Sequence, residues 1–284
     1  MSGIWTGILA GVLFLGGCAA VFVFGSSYYE LFRTNRSILF KGGLVAGFAV
    51  AVWLTMRYGS NPAYGLLAFA FLAAAMANLL GAAAAHLQKP LGLRDDTLRG
   101  MALAKGIEAV VVVGTILALA SIIGIPLRAL YLQPGRLGLG LAIGLGGFLL
   151  FLLLAVLQAR ALKIPRAAIR PLVPWILVFV LANGFMEELW LRAVFLRPLA
   201  SLIGPIAAIA LTALVFALAH VGVSYMSKEE RVRFLVILFP LGLAWGTCLH
   251  FTGSIVASSL FHAGADLMIV NGLISATLGK TNDA

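Results

Sequence analysis

The sequence predicts an all-α fold, a polytopic transmembrane helix bundle of about 8–9 spans. Three observations lead there. Of 284 residues, 62% are hydrophobic and only 11% are charged, against roughly 25% charged in an ordinary soluble domain. The mean hydropathy is +1.07, and a soluble globule of this size exposes too much surface to hide so much apolar material. The apolar runs approach the ~20 residues that cross a bilayer as a helix. They do not alternate as the strands of a membrane barrel do.

Taken in order, the runs are set by their charged or Pro/Gly breaks. They are Gly3 to Phe24; Ile38 to Met56, interrupted by Lys41; Pro62 to Ala85; Ala109 to Ile125; and Leu137 to Leu157. A long sixth run, Leu172 to Leu199, contains Glu187, Glu188 and Arg192. Pro205 to Ser224, Phe234 to Phe251 and Ser254 to Leu278 complete the set. No Lys or Arg precedes the first run, so it reads as a span and not as a signal peptide. Gly7 with Gly11, Gly43 with Gly47 and Gly140 with Gly144 have the spacing that lets helices approach closely. Cys18 and Cys248 lie in apolar runs without metal-type spacing and read as two small buried hydrophobes.

The net charge of +10 is a topology signal here, and nucleic acid is excluded as a partner. Fifteen of the 20 Lys and Arg residues fall in alternate loops, one group being Lys89, Arg94, Arg99 and Lys105. The positive-inside rule puts those loops in the cytoplasm. The N-terminus is then outside and the C-terminus inside. In that frame Glu187 lies about two to three turns from the outer side, which favours access from the outer half of the bilayer.

Charge inside a span costs roughly 2.5–3.5 kcal/mol per residue at mid-membrane and marks a functional site by default. Such residues gather in the last 100 positions. Glu188 and Arg192 are four apart on one helical face, acid before base, and can neutralise each other. Glu187 sits about 100° round the helix from Glu188, without that partner. A lone buried carboxylate of this kind suits a general base, and a structural ion-pair cluster is the rival reading. Phe216 and His220 follow on the next run, and His262 and Asp266, four apart, on the last. One shared polar cavity satisfies all of them more cheaply than separate burial. A base, imidazoles and water in such a cavity suit hydrolysis of a carbonyl compound.

Glu187-Glu188-x-x-x-Arg192, Phe216-x-x-x-His220 and His262-x-x-x-Asp266, in that order on membrane helices, resemble the CPBP family. This is the CAAX-processing and bacteriocin-protection group of intramembrane endopeptidases, also called the Abi or Rce1-like family. Phe185-Met186 before the glutamates fits, as does Thr252-Gly253-Ser254 leading into Phe261-His262. The resemblance covers about Leu130 to Leu278 and divides the chain at 1–125, variable N-terminal helices, and 126–284, a catalytic core. It implies that Glu187 activates the attacking water with His220 assisting. Glu188 and Arg192 would hold Glu187 in place, with Phe216 supporting. His262 and Asp266 would stabilise the oxyanion. Two positions depart from the family pattern. Ala193 stands where Gly is frequent, and Asp266 where Asn is frequent, which puts a direct oxyanion role for Asp266 in doubt.

No cofactor is expected from the resemblance. Zinc on Glu187, His220 and His262 is the alternative, although no His-Glu-x-x-His pair is present. The expected partners are a membrane-associated protein or peptide substrate, cut near its C-terminus, and the lipid bilayer; no feature points to an oligomeric state. The expected location is a bacterial inner membrane. The rival functions are a non-catalytic scaffold or immunity protein of the same fold and an ion-coupled transporter, for which neither an inverted repeat nor a broken helix speaks.

Overall fold

The computed structural model describes residues 3–24, 35–88, 93, 97–221 and 228–282. Every regular element among them is helical. They are α1 (Gly3–Cys18), a π-helical turn (Ala19–Phe24), α2 (Asn35–Tyr58), α3 (Pro62–Gln88), α4 (Leu98–Ile123), a 3₁₀ turn (Leu127–Leu130), α5 (Leu137–Ala161), α6 (Arg166–Ile169), a second 3₁₀ turn (Arg170–Leu172), α7 (Val173–Glu187), a second π-helical turn (Glu188–Ala193), α8 (Val194–Ile203), α9 (Pro205–Ala219), α10 (Lys228–Thr252) and α11 (Ile255–Asn282). Eight stretches are long and apolar enough to cross a membrane, and the chain is an integral membrane protein.

Three elements differ from the expected spans. The seventh run is only the 15-residue helix α9, about 22 Å long against a ~30 Å hydrocarbon core. The fourth begins at Leu98, because the Thr97 hydroxyl accepts from the Gly100 N–H at 3.1 Å and caps the helix there. Lys105, expected in a loop, therefore sits inside a span. The sixth run extends over Arg166–Ile203 and changes to a π-turn halfway.

Lipid gives helices no hydrophobic reason to associate, so close packing must hold them. α11 lies against α5 and α7, and α4 against α7. At the α5–α11 contact a Cβ on Gly144 would stand 2.9 Å from Leu260 Cβ, and one on Gly264 2.6 Å from Phe148 Cα. Gly7 and Gly11 face Ile203 and Leu211, while Gly43 and Gly47 have open space around them. Two of the three small-residue pairs thus serve packing among the described residues. Cys18 and Cys248 are free thiols.

The link between α4 and α5 crosses the α10–α11 turn and fixes where α11 starts. The Ile255 N–H donates to Tyr131 O at 3.1 Å, and the Arg136 N–H to Thr252 O at 2.7 Å. Gln133 Nε2 donates to Gly253 O at 3.0 Å. Gly253 has φ 68°, a left-handed value that a glycine adopts without strain and that permits this tight turn.

Gly264→Ala is expected to lower the melting temperature of the purified protein, since a Cβ there meets backbone that cannot yield, a cost of about 1–3 kcal/mol. Gly43→Ala is expected to leave it unchanged or slightly raised. Thermal unfolding in detergent checks the pair.

Candidate active site

Glu187 ends α7 and Glu188 opens the π-turn that follows. There the Val194 N–H reaches Leu189 O, five residues back. Successive residues stand about 100° apart round the helix, and both acids are enclosed because this segment is covered on more than one side, with Glu188, Leu189, Leu191, Arg192 and Ala193 all buried.

Glu188 and Arg192 form an ion pair with both side chains at 0% exposure. Arg192 Nη1 donates to Glu188 Oε1. The guanidinium lies over two aromatic faces, 4.9 Å from the Phe216 ring centre and 5.5 Å from Trp245. Its Nε and Nη2 have no acceptor among the described residues, and these faces stand in for one.

His262 comes from α11. Its Nδ1 lies 3.0 Å from the same Glu188 Oε1. A carboxylate only accepts, so Nδ1 carries the proton. Nε2 is thereby turned toward Glu187 Oε2 at 3.8 Å and Asp266 Oδ1 at 3.7 Å. His220 caps the C-terminal end of α9. Its Nδ1–H donates to Phe216 O at 2.8 Å, a bond between residues four apart. That leaves its Nε2 3.6 Å from Glu187 Oε2. Two imidazole nitrogens from different helices therefore point at one carboxylate oxygen, each ring oriented by the acceptor that its Nδ1–H meets. Such spacing suits a water molecule shared among the three. Among the described residues no group of three or more His, Cys, Asp or Glu has the spacing of a metal site.

All the residues that the sequence singled out meet here. Asp266 is held by Asn183, whose Nδ2 donates to its Oδ2 at 3.0 Å. From sequence alone an intramembrane Asn such as Asn183 reads as a source of helix-packing hydrogen bonds. Asn271 does make such bonds, donating from Nδ2 to Ala155 O at 2.7 Å and to Gln158 Oε1 at 3.1 Å. Trp245, from α10, had no motif to mark it. It is fully buried and stacks on His262 at 4.0 Å with 7° between the planes. Phe216 sits edge-on to both, 5.5 Å from each. Glu187 lies close to the midpoint of the 38-residue stretch Arg166–Ile203. It is more than four turns from the end at Ile203, not two to three, because the helix runs past Leu199.

Neither a curated protein nor a solved structure matches the chain. Residues 169–268 match the family model described as type II CAAX prenyl endopeptidase Rce1-like. That segment contains Glu187, Glu188, Arg192, Phe216, His220, Trp245, His262 and Asp266, and over it the chain is similar to the Rce1-like family of membrane proteases.

Proposed function

We propose that the protein is an intramembrane endopeptidase of the glutamic type. It hydrolyses a peptide bond near the C-terminus of a membrane-associated protein or peptide. The observation that supports this most is the convergence of His220 Nε2 and His262 Nε2 on Glu187 Oε2, at 3.6 and 3.8 Å.

Glu187 takes a proton from the bound water, whose oxygen attacks the scissile carbonyl. The neutral His220 Nε2 accepts the water's other hydrogen bond and orients its lone pair. His262, as an imidazolium, donates from Nδ1 to Glu188 and from Nε2 to the oxygen that becomes negative. Asp266 supports that form of His262 through Oδ1 and does not itself donate to the oxyanion. Glu187 then returns its proton to the leaving amine as the tetrahedral intermediate collapses. Water, carbonyl and amine balance without a further reactant, and no metal is part of the proposal. The membrane-embedded depth of Glu187 restricts substrates to chains that reach into the bilayer. The orientation with the N-terminus outside, the C-terminus inside and the chain in a bacterial inner membrane belongs to this proposal.

Three outcomes are expected of the full chain in proteoliposomes, with cleavage read by mass spectrometry. Glu187→Gln is expected to lower kcat by about 10²–10⁴, as the loss of a general base does, and His220→Ala to lower it by a smaller factor. Equal cleavage by wild type and both variants would leave only a scaffold role for the cluster. Activity is expected to survive a chelator and to gain nothing from added zinc; loss on chelation with recovery on zinc would replace Glu187-activated water with a metal-bound one. Trp245→Leu is expected to lower kcat more than it raises KM, and Trp245→Phe to restore most of the loss, because a second aromatic face can still support His262.

A further inference from the structure

Asp266 stands beside His262 without bonding to it. Its Oδ1 lies 3.7 Å from His262 Nε2, beyond hydrogen-bond length. Both side chains are 3% exposed, so little water screens them from each other. An imidazolium and a carboxylate attract strongly in such an interior. A bonded pair closes to about 2.7–2.9 Å, so this carboxylate is held back by about 0.9 Å.

Asn183 is placed to hold it. Its Nδ2 donates to Asp266 Oδ2 at 3.0 Å. Its Oδ1 is buried without a partner among the described residues, so the bond to Asp266 is what the amide supplies. An unfilled buried acceptor costs about 1–3 kcal/mol, a cost that an apolar residue packed in the same place would not carry. Asn183 is one turn before Glu187 on α7, and Asp266 is one turn after His262 on α11. The two helices run antiparallel, and Asn183–Asp266 is a second rung beside Glu187–His262. Gly184 fixes the register of that rung. A Cβ there would stand 2.9 Å from Ala263 N and 3.0 Å from Ser259 O, so α7 meets the backbone of α11 directly.

The restraint matters for one proton. His262 Nδ1 is taken by Glu188. Nε2 has Glu187 Oε2 at 3.8 Å and Asp266 Oδ1 at 3.7 Å, and neither is close enough to bind its proton. That proton is the one the proposed hydrolysis gives to the substrate oxygen. An Asp266 free to turn would close on Nε2 in a charge-assisted bond, roughly twice as strong as a neutral one. The donor would then be lost to the developing oxyanion.

We propose that Asn183 is a positioning residue of the hydrolysis and acts through Asp266. It keeps the carboxylate off His262, so that the Nε2 proton stays available to the substrate. This rests on the peptidase reading above and adds a residue to it. It also explains how an acid at position 266 can sit beside the imidazole without capturing it.

The full chain in proteoliposomes is given a mixed-sequence, N-palmitoylated dodecapeptide library. The peptide that wild type cleaves fastest, identified by mass spectrometry, serves for every variant. Asn183→Ala is expected to lower kcat by about tenfold, on the scale of coupled neighbours, and to change KM by less than about twofold. Adding Asp266→Asn to it is expected to raise kcat again, to within about threefold of Asp266→Asn alone, because a neutral amide holds the proton less firmly. Asp266→Glu leaves Asn183 in place and lengthens the acid by one methylene. It is expected to close the same gap and to turn over more slowly than Asp266→Asn. Wild-type kcat in Asn183→Ala overturns the proposal. So does a double variant no faster than Asn183→Ala, the result of a tie that serves packing alone. Where Asn183→Ala does not fold, Asp266→Glu decides, and turnover at or above that of Asp266→Asn overturns the proposal. Each of these results leaves the peptidase reading standing. Absence of cleavage by wild type overturns that reading and this inference together.

Discussion

The Glu188–Arg192 pair has no exposed surface, and much of the centre of the bundle follows from keeping it neutral. Removing either partner would leave an uncompensated buried charge, a loss of about 3–5 kcal/mol. The carboxylate also has a second acceptor site to fill, and His262 Nδ1 fills it on Glu188 Oε1. Arg192 has more donors than one carboxylate can take, and the faces of Phe216 and Trp245 cover it. Trp245 in turn stacks on His262. One ion pair thus connects α10, α11 and the π-turn. It also fixes which nitrogen of His262 is turned toward Glu187.

That arrangement separates two jobs that adjacent glutamates might otherwise share. Glu188 is spent on structure and orientation. Glu187 receives no cation from its own helix and faces two imidazoles, one from the end of α9 and one from α11. Both acids enter the same interior where α7 passes into the π-turn. π-turns inside α-helices are frequently found at functional sites.

The spans and the polar residues were legible in the sequence for one physical reason. Lipid penalises charge, so in a chain with 11% charged residues the groups inside apolar runs stand out. Glu187, Glu188, Arg192, His220, His262 and Asp266 all have that signature, and all meet. Trp245 has no such signature, since an aromatic residue in an apolar helix is unremarkable until its ring is seen against His262. Asn183 carries only a weak signal, because nothing in the sequence places α7 beside α11 at the level of Asp266. The π-turn is invisible to periodicity over a few residues. Lys105 was misplaced because Lys89, Arg94 and Arg99 precede it and resemble one loop. The signal that could have found the helix start was Thr97, an N-cap residue.

The first spans matter to the site even though the family match begins only at residue 169. The outer face of the π-turn carries Trp190, and Phe22 at the end of the first span meets it edge-on at 5.6 Å. One turn further, Phe195 is enclosed by Phe14 at 5.5 Å and Phe71 at 5.1 Å. A wide helical turn facing lipid would have only acyl chains against it, which exert no directional constraint. Rings from α1 and α3 give it a packed wall instead, and aromatic pairs add roughly 0.5–1.5 kcal/mol each beyond burial. On the other side α4 lies along α7 and the π-turn. The helix that presents Glu187 is therefore gripped on two sides by residues from the N-terminal part of the chain. What the π-turn meets from these spans is apolar volume, the rings of Phe14, Phe22 and Phe71.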